Sequence, residues 1–138
     1  MVIHIESRIK AIEAARASLD KKARETLILE LKDLTVIADY FVICSGENVS
    51  QVKAIVEHIG ETLKKDYGIK PMRIEGLDYA HWVLMDYSDV VIHIFEDETR
   101  AYYELEKFWL DAPRIPLHDE DKDTPGRKNK RELSVRRN

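Results

Sequence analysis

Two aspartates three positions apart, in a short polar segment, are the most enzyme-like feature of the sequence. Asp86 and Asp89 stand between two apolar runs, and Ser45-Gly46 precedes a stretch with helical periodicity. Two carboxylates at a turn can hold a divalent cation, and a Ser-Gly turn before a helix can cradle a phosphate. The same residues also suit plain turns, because Asp side chains bond to nearby backbone N–H groups. No Gly-rich phosphate motif ending in Lys-Ser or Lys-Thr is present, so the plain-turn interpretation is favoured.

The histidines and the cysteine indicate neither a metal centre nor a nucleophile. Cys44 is the single cysteine, which excludes an intrachain disulfide and a multi-thiolate zinc site and fits a reducing compartment. Because it ends an apolar run without a nucleophile elbow, we expect it to be buried. His93 lies in another apolar run, where a lone histidine is more often a structural donor or acceptor than a base. No two of the five histidines lie within one helical turn, so we predict no metal, no cofactor and no catalysis.

Aromatic residues and charge point instead to a protein interface. Aromatic side chains dominate interface energies, although core packing explains most of them. Residues 113–138 contain eight Lys and Arg against five Asp and Glu, a net charge of +3, which leaves −7 for residues 1–112. An acidic body complements a basic partner and not a nucleic acid or an anionic membrane. The aromatic residues in question are Trp82, Tyr87, Tyr102, Tyr103 and Trp109.

These residues need a fold that positions them, and the patterning predicts an α/β domain. Apolar residues at steps of three and four predict helices, and alternating or β-branched runs predict strands. The order of strand 40–44, a helix and strand 70–75 favours parallel pairing of these two strands through a right-handed crossover, so the sheet should be mixed. The predicted helices span 5–20, 48–68 and 97–110. The predicted strands are 26–34 and 40–44, which form a hairpin, then 70–75, and finally 82–85 and 90–95, which form a second hairpin.

Length and composition predict one domain with a tail. The 138 residues suffice for one core, which we assign to 1–112, and the Pro-rich, charged segment 113–138 is predicted to be largely disordered. Its basic run, 127–131, predicts at most a weak contact with RNA. The longest nearly uncharged stretch, 34–46, is far shorter than the roughly 20 residues of a membrane span. No secretion signal opens the chain, so we predict a cytoplasmic protein.

The motifs of the chain, taken together, carry a resemblance. They follow one another in order from about Ile5 to Ala112, which is more specific than any single short motif. The motifs are ADYFVICSG at 38–46, QVKAI at 51–55, EG at 75–76, WVLMDYSDVVIHIF at 82–95 and RAYYELEKFW at 100–109. By these motifs the chain resembles the ribosomal silencing factor family, also called Iojap-like.

The resemblance implies a fold, a partner and a mechanism. The fold would be a mixed sheet of about five strands flanked by helices, similar to nucleotidyltransferases. The partner would be ribosomal protein fourteen of the large ribosomal subunit, at the face where the small subunit docks. Occupying that face would block subunit joining and repress translation. The chain departs from the family at Ser88, where many relatives are expected to have Gly, which implies a turn that tolerates a side chain.

We predict that the second hairpin and its surroundings form the contact surface, with Trp82 and Tyr87 as apolar anchors. Two alternatives stay open: a factor for large-subunit assembly, and a metal-dependent nucleotidyltransferase that would use Ser45, Asp86 and Asp89 but lacks a third acidic ligand. An exposed aromatic patch also predicts self-association of the free protein into a homodimer. The predicted partner-binding residues are Glu75, Trp82, Asp86, Tyr87, Asp89, Arg100 and Tyr103.

Overall fold

A mixed five-stranded sheet organises the computed structural model, which describes residues 5–117. The strand order is β1-β2-β5-β4-β3, and every neighbouring pair is antiparallel except β2 with β5. This confirms the predicted α/β class, with a mixed sheet flanked by helices. The elements in chain order are α1 (Ser7–Asp20), β1 (Arg24–Glu30), β2 (Tyr40–Gly46), α2 (Val49–Tyr67), β3 (Arg73–Glu75), β4 (Trp82–Asp86), β5 (Val90–Glu96), α3 (Asp97–Tyr103) and a 3₁₀ helix (Leu105–Trp109).

Both predicted hairpins form, but the predicted pairing of β2 with β3 is wrong. The strands β1 and β2 pair antiparallel, as do β4 and β5. The strand that lies parallel beside β2 is β5, and β3 is the opposite edge strand, paired with β4. The strand β3 has three residues, and all of them are exposed, so it offers little apolar surface for a central position in the sheet. Every residue of β5 from Val90 to Phe95 is buried.

The helix α2 follows the predicted signals closely. The side chain of Asn48 accepts a hydrogen bond from the N–H of Gln51 at 2.9 Å and caps the first turn. Gly68 ends the helix in the left-handed conformation at φ +71°, which costs glycine little. One side of the helix is buried against the sheet, at residues Val52, Ile55, Val56, Ile59 and Leu63.

The two faces of the sheet bury different side chains. Strand residues alternate between faces, so Val83 and Met85 of β4 join the core under α1 and α2. Trp82 and Leu84 of the same strand pack on the other side, which α3 and the 3₁₀ helix partly cover. The central strands β2 and β5 are buried on both sides, which explains their continuous apolar sequence.

The predicted helix over residues 97–110 is interrupted. Glu104 adopts φ +50°, in the left-handed region, and ends α3. A left-handed residue stops the helical hydrogen-bond ladder, so the chain continues as a separate 3₁₀ turn. The break leaves Leu105 and Trp109 half-buried against the sheet, whereas Tyr102 and Phe108 are exposed.

The folded body extends past the predicted boundary at residue 112. The carbonyl of Pro113 accepts a hydrogen bond from Glu30 at 2.8 Å, and Ile115 donates one to Ile28 at 2.9 Å. Ile115 and Leu117 also pack against the core under α1 and α2. The start of the predicted tail therefore pairs with the free edge of β1, because an edge strand offers unpaired backbone groups. The rest of the tail, with its predicted RNA contact, lies outside the described residues.

No helix within residues 5–117 is long and apolar enough to cross a membrane. The similarity to nucleotidyltransferases stays a prediction.

Candidate functional site

The sheet surface that faces away from α1 and α2, here called the open face, carries most of the exposed candidate residues. Trp82, Leu84 and Asp86 alternate along β4 and point to this side. Glu75 of β3 lies directly opposite Leu84, and Arg73 lies directly opposite Asp86. Directly paired residues in a sheet share a face. The open face over β3 and β4 therefore combines an apolar centre with a charged edge.

Trp82 is the centre of an aromatic cluster on the open face. Its ring stacks on Phe95, its partner in β5, with 4.7 Å between ring centroids. Tyr103 at the end of α3 lies 5.1 Å away on the same centroid measure, and Tyr102 meets Tyr103 edge to face at 5.0 Å. Trp82 is half-buried, whereas Tyr103 is 50% exposed and Tyr102 is 79% exposed. Such a cluster provides large apolar area at low conformational cost, which is what an interface anchor requires.

His93 lies beneath this cluster and accepts a hydrogen bond from it. The indole Nε1–H of Trp82 donates to His93 Nδ1 at 3.1 Å. The imidazole is buried, and burial lowers its pKa from 6.5 to about 4, so the ring is neutral at pH 7. Because Nδ1 accepts, the proton of the neutral ring is on Nε2, and this atom is buried without a hydrogen-bond partner in the described structure. His93 therefore acts as a structural hydrogen-bond acceptor through Nδ1, which confirms the prediction of a structural histidine.

The acidic edge of the open face is partly engaged within the protein. Asp86 accepts a hydrogen bond from the N–H of Ser88 at 2.8 Å, which closes the turn between β4 and β5. Its other carboxylate oxygen lies 3.3 Å from Nε of Arg73, which is also 3.3 Å from a carboxylate oxygen of Glu75. The side chain of Glu75 is 56% exposed and that of Asp86 is 18% exposed. Glu75 is thus the more accessible acidic group.

Two residues of the predicted contact set point away from the open face. Tyr87 is 5% exposed and belongs to the core under α1 and α2, so its prediction as an exposed anchor is wrong. Its position in the turn after β4 directs the ring toward the helices. Asp89 binds Nζ of Lys10 in α1 at 2.7 Å, so it ties the turn to that helix. Asp86 and Asp89 therefore serve different elements, and no group of three His, Cys, Asp or Glu within residues 5–117 could hold a metal ion.

Arg100 is a structural residue at the junction of α3, β2 and the 3₁₀ helix. It is 6% exposed, so it does not lie on an accessible contact surface. Its Nε donates to Glu106 at 3.1 Å, and its Nη1 donates to the hydroxyl of Ser45 at 3.2 Å and to the carbonyl of Arg24 at 3.3 Å. Ser45, Arg100 and Glu106 line a cleft of about 610 Å³, whose walls carry charged side chains of both signs.

The turn proposed as a phosphate cradle is filled by the protein's own groups. Ser45 is buried and bonded to Arg100 and to the carbonyl of Arg24. The N–H of Glu47 donates to the side-chain carbonyl of Gln51 at 2.7 Å, and the N–H of Gln51 donates to Asn48. Because a phosphate at a helix start needs free N–H donors, this turn is arranged as a helix cap. Cys44, beside it, is buried as predicted, and burial raises the pKa of its thiol to about 12.

One residue of the open face, Leu84, is absent from the predicted contact set, and the partner of His93 was not predicted. Leu84 is half-buried beside Trp82, and the alternation of β4 could have placed it there. The identity of the donor to His93, Trp82, depends on a contact between different strands, for which the sequence carries no signal.

Comparison with known proteins places these features in a family. The family model described as "Ribosomal silencing factor during starvation" matches residues 4–138. The chain is 44% identical over 104 residues to the ribosomal silencing factor RsfS of Halalkalibacterium halodurans, covering 75% of this chain and 88% of that protein. A crystal structure of a Bacillus halodurans protein has a TM-score of 0.67 at 40% identity, covering 76% of this chain and 94% of that one. The mouse protein named "Mitochondrial assembly of ribosomal large subunit protein 1" is 34% identical over 91 residues, which is 64% of this chain and 40% of the mouse protein.

Proposed function

Because the chain belongs to the ribosomal silencing factor family, we propose that it represses translation by binding the large ribosomal subunit. The contact is with ribosomal protein fourteen of that subunit, and the bound protein sterically blocks association with the small subunit. Family membership is the observation that carries this proposal. The open face supports it, because it offers an aromatic surface that the fold leaves partly uncovered.

The proposed contact surface, here called the docking patch, consists of residues on the open face. A stable interface buries about 800 Å² on each partner, with a few large aromatic anchors at its centre. Trp82 and Tyr103 provide such anchors in adjoining positions, 5.1 Å apart between ring centroids. The members of the docking patch are Glu75, Trp82, Leu84, Asp86 and Tyr103.

Charge supports a basic partner for this patch. Residues 1–112 have a net charge of −7, and Glu75 and Asp86 add acidic groups at the edge of the patch itself. Complementary charge accelerates association and rejects like-charged partners more than it adds affinity. Binding to the large subunit should therefore weaken as the salt concentration increases.

Assembly of the large subunit is the second candidate function. The name of the mouse relative describes that role in mitochondria, and the same docking patch would then bind immature subunits. The nucleotidyltransferase alternative is not favoured, because Asp86 and Asp89 serve different elements and the N–H groups of Glu47 and Gln51 are bonded to side chains.

Sedimentation with separated ribosomal subunits tests the proposal. We expect the purified full-length protein to co-migrate with large subunits and to reduce the fraction of joined ribosomes at fixed magnesium and salt. Binding without a joining defect, with precursor subunits accumulating when the gene is deleted, would favour assembly. Absence of binding to large subunits would contradict both functions.

Charge-reversal variants locate the contact. Glu75→Lys reverses an exposed charge on the docking patch, and we expect it to weaken binding by about 1–3 kcal/mol and to reduce its salt dependence. Glu57→Lys is the matched control, because Glu57 is exposed on α2, on the other side of the sheet. Asp86→Ala, which removes the second acidic group of the docking patch, should also weaken binding. Equal effects of the Glu75 and Glu57 variants would place the contact elsewhere.

Homodimer formation by the free protein and the cytoplasmic location stay predictions. The dimer prediction is tested by sedimentation equilibrium with Tyr103→Ala, since Tyr103 is half exposed on the patch.

A further inference from the structure

A buried imidazole is an unusual choice for the centre of a sheet. His93 is 4% exposed and is surrounded by the rings of Phe41, at 4.5 Å, and Phe95, at 6.4 Å between centroids. Its Nε2 is buried without a partner in the described structure, which lowers the stability of the folded state. An aliphatic side chain would fill this position without that loss. We therefore look for a role that requires the hydrogen-bonding nitrogens of the imidazole, which an aliphatic side chain lacks.

Within residues 5–117, the one polar contact of the His93 ring is with Trp82. The two residues lie diagonally across the β4–β5 ladder, because Trp82 pairs with Phe95 and Leu84 pairs with His93. The Nε1–H of Trp82 donates to Nδ1 of His93 at 3.1 Å. Stacking on Phe95 fixes the plane of the indole, and the hydrogen bond fixes its rotation within that plane. A ring held at both points has one orientation on the open face.

We propose that His93 is a positioning residue that fixes the indole of Trp82 in the orientation recognised by the large ribosomal subunit. The inference rests on the proposed function. Because the indole N–H is the only hydrogen-bond group of tryptophan and is bonded inward, the accessible part of the ring is purely apolar. The subunit therefore contacts Trp82 through an apolar surface, and the acidic groups at the edge of the patch contribute charge.

The physical basis of the proposal is preorganisation. A free indole samples several rotamers, and binding one of them costs conformational entropy. The His93 acceptor removes this cost before binding, and Tyr103, 5.1 Å away, packs against the fixed ring. His93 is too buried to contact the partner itself, so any effect of its substitution on affinity must pass through its neighbours.

Two substitutions in the full-length protein separate hydrogen bonding from packing. His93→Leu retains apolar volume and removes the acceptor. His93→Asn places a carbonyl oxygen near the position of Nδ1 and retains an acceptor. The first measurement is the indole N–H signal of Trp82 in proton–nitrogen NMR spectra, with the indole signal of Trp109 as the internal reference. We expect His93→Leu to accelerate exchange of the Trp82 signal at least tenfold, and His93→Asn to preserve its protection.

The second measurement is the affinity for purified large subunits. We expect His93→Leu to weaken binding about tenfold while the urea midpoint of unfolding stays at or above that of the natural protein. We expect His93→Asn to restore most of the affinity. In a Trp82→Phe background, which already lacks the indole N–H, His93→Leu should change the affinity less than twofold.

The outcomes distinguish the possible failures. If His93→Leu leaves both the indole signal and the affinity unchanged, the positioning role is refuted. An equal loss of affinity with and without Trp82 would also refute it, since His93 would then act through another neighbour. If the natural protein does not bind large subunits, the proposed function fails, and the positioning of the ring is decided by the indole signal alone.

Discussion

Substitution of Tyr87 by phenylalanine should stabilise the protein without changing the proposed binding to the large subunit. The hydroxyl of Tyr87 is buried in the core under α1 and α2 and has no hydrogen-bond partner in the described structure. Leaving a buried hydroxyl unpaired costs about 1–3 kcal/mol. Tyr87→Phe removes that group and leaves the ring in place, so we expect the free energy of unfolding to increase by about 1 kcal/mol. This corresponds to a rise in Tm of about 4 °C for a domain of this size.

The same substitution should flatten the loss of stability at alkaline pH. Burial raises the pKa of the Tyr87 hydroxyl above its ordinary value of 10.0. The unfolded chain therefore releases this proton first, and the folded state becomes less stable as the pH rises above 10, by up to about 1.4 kcal/mol per pH unit. Below pH 10 this contribution is fully present. Tyr87→Phe has no hydroxyl to titrate at this position, so its stability should fall less above pH 10. Burial raises the pKa of Cys44 to about 12, but this thiol is present in both proteins and affects them equally.

Urea unfolding and subunit sedimentation together test this reasoning. Tyr87→Ala is the companion variant, because deleting a buried ring should lower the free energy of unfolding by about 3–5 kcal/mol. Both variants should bind large subunits with unchanged affinity wherever they are folded. A lower affinity of Tyr87→Phe at unchanged stability would refute the reasoning, since it would mean that the hydroxyl contacts the partner.

Three further predictions concern other parts of the fold. Asp89→Ala should lower the free energy of unfolding by about 1 kcal/mol and leave subunit affinity unchanged, because Asp89 binds Lys10 of α1; a loss of affinity in sedimentation at unchanged stability would contradict this. His93 has a pKa lowered from 6.5 to about 4, so its contribution to stability is present above pH 6.5 and is lost as the pH falls toward 4. His93→Leu should therefore remove about 3 kcal/mol of acid sensitivity across that window, measured by urea unfolding at several pH values; identical pH profiles would refute it. Gly76→Ala should lower the free energy of unfolding by more than about 2 kcal/mol, because the new Cβ would lie 2.3 Å from a backbone oxygen of β4. Gly68→Ala, at a similar positive φ with open space around it, should lower it by only about 1 kcal/mol. Equal losses in urea unfolding would show that strain at positive φ, and not the clash, decides the effect.

Local patterning was sufficient for most of the fold. The helical period of α2, the continuous apolar runs of β2 and β5 and the two hairpins were all predictable, because side-chain spacing reports directly on local backbone geometry. The burial of Cys44 followed from its place in such a run. Ser88 takes φ +77°, so this turn accommodates a side chain in a left-handed conformation that glycine adopts more easily.

Patterning failed where an element had no strong apolar signal. The strand β3 has three exposed residues, so nothing in the sequence indicated that it pairs with β4 instead of β2. Likewise, the backbone bonds of Pro113 and Ile115 to β1 do not depend on side-chain type. Backbone pairing at sheet edges leaves little trace in composition, and a Pro-rich charged segment was therefore assigned to the tail.

The sequence by itself determined the class of fold and the family, and it indicated the stretch of chain, 75–103, in which we propose the docking patch. Only the tertiary structure decided which residues of that stretch face outward. Strand alternation assigns Trp82 and Met85 to opposite faces, but it does not say which face the helices cover. That choice depends on the packing of α1 and α2, which brings Lys10 to Asp89 and buries Tyr87, and leaves Trp82 bonded to His93 on the open face. Contacts between distant segments are set by the free energy of the whole core, and no local pattern encodes them.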